Sequence, residues 1–242
     1  MQRIKNYFSF DKKEAKHILA TCLALGFIFS FTEWGMKGFD LISGVFALLN
    51  SALIILFSLL ARVSVQKVVG IYRGYKVNYE SWPIGLAIAL FLTFFLNGQL
   101  LFFAVPGVIT LAVIEHLRVG KRRQAKMQSD TALISFSGIL ASLAVAYLFK
   151  AISGSFPNVA IAKLVLINVW LAVASVLPIP PLDGFNIFYY SRIAGIFVII
   201  FTIGAAITLY TLSPLLSLVT ALAAAIGFAI FVLIRFELGE WK

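Results

Sequence analysis

The sequence predicts an all-α membrane protein, a polytopic bundle of six to eight helical segments that includes one proline-broken helix. Hydrophobic residues make up 61% of its 242 positions and charged residues only 12%, whereas a soluble domain is about half apolar and about a quarter charged. Apolar runs recur along the whole chain between short polar or basic turns. Three prolines interrupt the chain after one of these runs, and proline cannot continue a regular helix.

The apolar runs are assigned in chain order by their length, because a helix needs about 20 residues to cross the hydrocarbon core. The first run, Ile18–Thr32, is short, but its flanks can extend it and no small-residue cleavage site follows. We therefore expect it to be a retained span rather than a signal peptide. The other expected helical spans are Leu41–Ala61, Thr131–Phe149, Ala162–Leu177, Ala194–Leu212 and Leu215–Ile234.

Two further apolar runs, Pro83–Leu96 and Leu100–Ile114, are too short to be assigned as full spans. They meet at Asn97-Gly98-Gln99, so the region either crosses the membrane twice or enters and returns on one side. A re-entrant pair is tolerated only where other protein covers the broken backbone. Just before it, Ile71–Tyr79 alternates aromatic or apolar with polar residues, which is typical of a short strand or hairpin at the interface.

The distribution of charge predicts the topology. The net charge is +10, yet 17 of the 20 Lys and Arg residues fall on one side when the runs are threaded as alternating crossings. This asymmetry is what the positive-inside rule expects, with both termini in the cytoplasm. The basic cluster Lys121–Arg123 is then interpreted as a topology anchor or an anionic-lipid contact, and nucleic-acid binding is not expected. We expect one membrane domain over residues 1–242, with a basic N-terminus (1–17) and a C-terminal helix pair (191–242).

Few residues can carry chemistry. The one cysteine, Cys22, excludes an internal disulfide and a Cys-based metal cluster. His17 and His116 lie at segment ends, and neither has a serine partner by motif. No phosphate loop, dinucleotide fingerprint or C-x-x-C pair is present. Asp183 remains, and an acid at a proline-broken membrane segment marks a functional site by default.

The motif around this acid is the most specific feature of the chain. It consists of Pro178, Pro180, Pro181, Leu182, Asp183 and Gly184. It resembles the second half of the metal site in site-2 proteases, the intramembrane zinc metalloproteases, where a stretch ending in Leu-Asp-Gly supplies the aspartate that completes zinc coordination. The resemblance covers about Leu41–Tyr190, although Ser175 stands where an Asn is usual. The alternative is a proline-kinked loop with a solvated Asp183.

The family's other metal-binding motif, H-E-x-x-H, is absent. Histidines four apart share a helical face and hold the metal, while the Glu polarises the attacking water. If Gly74 closes the corresponding helix, the two histidine positions fall at Arg62 and Gln66 and the Glu position at Val63. No His, Glu or Asp occurs between Leu41 and Tyr79, so Asp183 cannot hold zinc in the family's manner.

Arg62 and Gln66 would share the face that points at Asp183. We therefore hypothesise an Arg62–Asp183 ion pair in place of the metal, with Gln66 satisfying a remaining hydrogen-bonding group. The alternative is that Arg62 snorkels to the cytoplasmic interface with the rest of the basic flank.

The expected function is that of a catalytically inactive, site-2-protease-like membrane protein. It would bind or scaffold a transmembrane client or partner membrane protein in the former substrate groove, without a cofactor. The groove-lining candidates are Ser64, Gln66, Asn168 and Asp183. One alternative is an active zinc metalloprotease with a non-standard site, in which Asp183 is a metal ligand. Another is a small transporter, since proline-broken helices with one acid occur there too.

Overall fold

The computed structural model describes residues 7–34, 40–98, 105–114, 124–154 and 156–237. Those residues form an all-α bundle with one small sheet, which confirms the predicted fold class. The helices are α1 (Lys12–Ser30), α2 (Leu41–Arg73), α3 (Pro83–Phe95), α4 (Gln124–Ser153), α5 (Val159–Val176), α6 (Asp183–Tyr190), α7 (Arg192–Thr211) and α8 (Pro214–Glu237). A 3-10 turn, Phe31–Trp34, follows α1, and the strands are β1 (Tyr75–Glu80) and β2 (Val108–Val113).

Six of the helices that the structure describes are long and apolar enough to cross a bilayer, namely α1, α2, α4, α5, α7 and α8. Their outward faces carry many large apolar side chains, such as Leu53 and Val219, which are 65% and 63% exposed. Exposed apolar surface on this scale is stable only against lipid or another apolar partner. The chain is therefore an integral, multi-pass membrane protein.

The long helix α2 has well-defined ends. Asp40 caps its first turn, because its side chain accepts hydrogen bonds from the backbone N–H groups of Ile42 and Ser43. Gly74 ends it in the left-handed conformation with φ of 83°, a conformation that favours glycine. The register that places Arg62 and Gln66 on one face therefore rests on a helix that ends where the sequence predicted.

The region between α2 and α4 confirms the predicted strand but corrects its bounds, and it corrects the assignment of the run Leu100–Ile114. Ile71–Arg73 belongs to α2, and the strand starts only at Tyr75 and forms no local hairpin. Instead β1 pairs with β2 in antiparallel register, with Glu80 opposite Val108. Leu100–Ile114 is therefore not a second short helical span over its described part. Val108–Val113 is rich in β-branched residues, and such a run is ambiguous between helix and strand without its pairing partner.

The segment between β1 and β2, which contains α3, begins and ends at the same sheet. Just before α3, Ser81 is hydrogen-bonded to His17 near the start of α1 (2.8 Å). Near the end of α3, Phe94 stacks edge-on against Phe31 (5.2 Å between ring centroids), so α3 runs along α1. Its 13 residues span about 20 Å, too little for a bilayer core of about 30 Å. The pairing of Glu80 with Val108 returns the chain to the side that it left, as both alternatives require, and the short length of α3 favours the re-entrant one.

Two buried clusters hold the bundle together. The first joins α1, α2 and α5 through residues such as Leu25, Leu59 and Leu171. The second joins α4 to α7 and α8 through Ile139, Phe201 and similar side chains. The chain between α5 and α6, residues 177–182, carries the exposed prolines of the motif and returns to the interior at Leu182.

Candidate functional site

Three side chains predicted from the sequence meet inside the bundle. Arg62 and Gln66 project from one face of α2, and Asp183 is the first residue of α6. Arg62 Nη2 lies 2.5 Å from Asp183 Oδ2, and Gln66 Nε2 donates to the same oxygen at 3.2 Å. The three side chains belong to residues that are 3%, 1% and 7% exposed, respectively. The expected ion pair is therefore present and almost completely buried from solvent, and Arg62 does not snorkel to the surface.

A third helix completes the arrangement. Arg62 Nη1 donates to Ser142 Oγ on α4 at 3.1 Å. One turn earlier on α4, Gly138 leaves room for Gln66, since a Cβ at that position would lie 2.2 Å from Gln66 Nε2. The small residues Gly138 and Ser142 therefore make room for Gln66 and bind Arg62.

The proline motif places Asp183 opposite α2. Helix α5 ends at Val176, and the chain turns so that the N–H of Leu182 bonds to the carbonyl of Ile179 (2.9 Å). Leu182 is buried beside Val105 and Ala174. Gly184 packs directly on the end of α5, because a Cβ there would lie 2.0 Å from the carbonyl oxygen of Val176. The prolines of the motif shape the turn rather than contact the ion pair, and Pro180 and Pro181 are exposed.

Burial and position explain why the charges are paired. Arg62 lies about 30 Å along α2 from Leu41, close to the thickness of a hydrocarbon core. Arg62 therefore stands near the far end of the span, but it is buried inside the bundle, and a buried charge needs a partner because desolvation disfavours an isolated ion. Asp183 finds its counterion in Arg62, and its place in the first turn of α6 is also where the helix dipole favours a negative charge.

The other two groove candidates, Asn168 and Ser64, lie near the ion pair but are not part of it. Asn168 is buried one turn from the ion pair, where its side-chain amide donates to Ser58 Oγ on α2 (2.8 Å). Its Oδ1 is buried without a hydrogen-bond partner in the described part of the protein. Ser64 follows Arg62 by two residues, about 200° round the helix, so it faces away from Asp183. His17 contacts Ser81, and His116 lies outside the described residues.

A second buried ion pair was missed by the sequence reasoning. Lys67 Nζ lies 2.8 Å from Glu14 Oε2 and 2.7 Å from the carbonyl oxygen of Ser9, and it stands over the ring of Phe10. Glu14 Oε1 accepts the backbone N–H of Tyr79 (3.0 Å). From the sequence, both charges look like solvated flanks of apolar runs. The available signal was that Glu14 shares the helical face of Ile18, Thr21 and Leu25.

The residues of the Arg62–Asp183 site do not fit a zinc ion. A guanidinium has no lone pair to offer a metal, and a structural or catalytic zinc site needs three or four ligands. Across the residues that the structure describes, no group of three or more His, Cys, Asp and Glu side chains could hold a metal ion. The arrangement can bind and orient polar groups, but its residues do not supply the ligand set of a zinc site.

No protein-family model matches the chain, and no curated protein or solved structure is significantly similar to it. Its function must therefore be argued from the site and its surroundings.

Proposed function

We propose that this protein is a catalytically inactive, site-2-protease-like membrane protein that binds or scaffolds transmembrane clients. The observation that carries the proposal is the meeting of the Leu182-Asp183-Gly184 motif with the helical face of Arg62 and Gln66. In the resembled family those two helical positions hold the metal. In this chain the guanidinium of Arg62 takes the place of the metal and faces Asp183.

The surroundings of the ion pair argue against hydrolysis. A second cation would have to displace the guanidinium of Arg62 from a carboxylate oxygen that it already contacts at 2.5 Å. The position next to Arg62 that would carry the general base is Val63, which is fully buried in the apolar cluster with Leu59. The Arg62–Asp183 site therefore has neither the metal ligands nor the general base that a metalloprotease uses to activate water.

The ion pair supports a scaffolding role instead. A buried pair adds little net stability compared with apolar residues of similar size, but the loss of one partner is strongly unfavourable. The Arg62–Asp183 pair therefore acts chiefly by fixing α2, α4 and α6 in one arrangement, through the contacts to Ser142 and Gln66. A fixed set of helices presents a constant surface to a client helix in the membrane.

The proposed topology places both termini in the cytoplasm. Six crossings, an even number, return the chain to its starting side. The charge asymmetry then assigns that side to the cytoplasm, since 17 of the 20 basic residues fall there.

Crosslinking in native membranes followed by co-purification tests client binding. We expect D183N to lower the yield of crosslinked membrane proteins several-fold relative to the unmodified protein, because it removes the charge that orders Arg62. D130N is the matched control, since Asp130 is equally buried and faces Arg73 (3.5 Å) at a different site. Equal partner yields for the unmodified protein and D183N would show that the site has no part in binding.

A further inference from the structure

The start of α1 carries an exposed basic face that the fold does not explain. Lys12, Lys13 and Lys16 lie in the first turns of the helix, and all three are exposed. Cations at a helix N-terminus oppose the helix dipole, which favours negative charge there. Among the described residues, none of the three forms an ion pair. Their positive charge is therefore unfavourable for the isolated helix, and an anionic partner outside the helix would offset this cost.

The neighbouring acids are already engaged. Asp11 Oδ2 pairs with Lys76 at 3.1 Å, and Glu14 points to the opposite side of α1, where it holds Lys67. The three lysines and the following apolar residues lie within about a third of the helix circumference. The basic face, defined as Lys12, Lys13 and Lys16, is thus left without negative charge from α1.

The same side of α1 turns apolar within one turn. Leu19 and Leu23 lie directly beyond the lysines and are 60% and 49% exposed. An outward helical face that passes from apolar to cationic over one turn is suited to a membrane interface, where lysine stems lie along acyl chains and their ammonium groups reach the headgroups. Leu19 and Leu23 therefore place the basic face at headgroup level.

We propose that the basic face of α1 binds the phosphate groups of anionic phospholipids. The charge complementarity is direct, because juxtamembrane lysines are attracted by anionic headgroups and three of them act together. Zwitterionic lipids offer the same acyl chains without the net charge. The partner is thus distinguished by its charge and not by its hydrophobicity.

Native mass spectrometry of the full chain in detergent, titrated with single lipids, tests this proposal. The probes are dioleoylphosphatidylglycerol and dioleoylphosphatidylcholine. We expect the unmodified protein to prefer phosphatidylglycerol on the order of tenfold to a hundredfold, and we expect the triple variant K12Q/K13Q/K16Q to lose most of that preference. The preference of the unmodified protein should also fall as salt is raised, because exposed charges are screened.

The matched control is K12R/K13R/K16R, which keeps the charges and should keep the preference. Thermal unfolding of all three proteins with each lipid gives a second measurement and shows whether the glutamine variant is folded. Equal affinity of the unmodified protein for the two lipids would overturn the proposal. So would a folded glutamine variant that keeps the whole preference.

Discussion

Helix α2 carries two buried ion pairs five residues apart, and they are built in different ways. The Lys67 ammonium contacts three groups near the N-terminus of the chain: the Glu14 carboxylate, the Ser9 carbonyl and the Phe10 ring. The Arg62 guanidinium contacts side chains from two other helices, Ser142 and Asp183. The first pair fastens one end of the chain to α2 and β1. The second lies where three helices meet.

This difference supports the proposal that the Arg62–Asp183 pair, besides fixing three helices, belongs to a site, whereas the Lys67–Glu14 pair holds the N-terminal segment in place. The partners of the Lys67–Glu14 pair include two backbone groups, the carbonyl of Ser9 and the N–H of Tyr79. The pair therefore satisfies hydrogen-bonding groups of the N-terminal segment and of β1. The partners of Arg62 are side chains, which can be exchanged without rebuilding the backbone. An exchangeable set of polar side chains in a bundle interior is what a former metal pocket would leave.

The largest expected effect comes from removing one charge of the Arg62–Asp183 pair. R62M leaves Asp183 buried without its counterion and should destabilise the protein by about 3–5 kcal/mol. The double variant R62M/D183N removes both charges and should be clearly more stable than R62M alone. Reversible unfolding in detergent micelles measures both differences. A cost for R62M below about 1 kcal/mol would mean that the pair is effectively solvated.

Substitutions of Glu14 should differ in their effect on stability, because its carboxylate pairs with the Lys67 ammonium and also accepts the backbone N–H of Tyr79. E14Q keeps an acceptor for the Tyr79 N–H and loses the pairing with Lys67, whereas E14A loses both. We therefore expect E14A to cost about 1–3 kcal/mol more than E14Q, the penalty of a buried unsatisfied N–H. The same unfolding measurement compares the two variants. Equal stability of E14A and E14Q would show that the strand edge does not depend on Glu14.

Gly184 tests how closely the motif backbone must pack to place Asp183. G184A puts a Cβ 2.0 Å from the carbonyl oxygen of Val176, so the backbone must shift and the expected cost is about 1–3 kcal/mol. G227A is the matched control, because a Cβ at Gly227 meets no atom within 4 Å. That variant should be neutral or slightly stabilising, as alanine favours helix. Similar effects of the two substitutions would contradict the packing role of Gly184.

The smallest effect is expected at Asp40, an exposed acid that contrasts with both buried pairs. Hydrogen bonds from the Ser43 side chain and backbone, and from the Ile42 backbone, lower the pKa of Asp40. A lowered pKa in the folded state means that the stabilisation is present above the ordinary pKa and is lost as pH falls through the folded value. D40N should remove this small pH dependence while keeping an N-cap. If the stability of the unmodified protein and of D40N fell in parallel below a pH of about 4, the assignment to Asp40 would be wrong.

The sequence predicted those parts of the protein that depend on local pattern. Arg62, Gln66 and Asp183 could be brought together because the family resemblance indicated the first two positions, which share a helical face, and a short motif identified the third. The same resemblance indicated Gly74 as the helix end, and glycine favours the left-handed conformation found there. The spans followed from hydrophobicity and length.

What the sequence did not reveal depends on distant pairing. Glu14 and Lys67 stand 53 positions apart, and each alone looks like a solvated end of a span. Val108–Val113 was assigned to a short apolar membrane segment, and only its pairing with β1 shows that it is a strand. Ser142 is a small polar residue in an apolar helix, and nothing local shows that an arginine on another helix reaches it.

The central claim is that Arg62 and Gln66 stand at two former metal-ligand positions opposite Asp183. The most direct test is the zinc content of purified protein before and after R62H/Q66H, which places two imidazoles four residues apart on the face that meets the acid. The account predicts no stoichiometric zinc in the unmodified protein, about one zinc per chain in R62H/Q66H, and loss of that zinc when D183A is added. Stoichiometric zinc in the unmodified protein that is lost on D183A would contradict it.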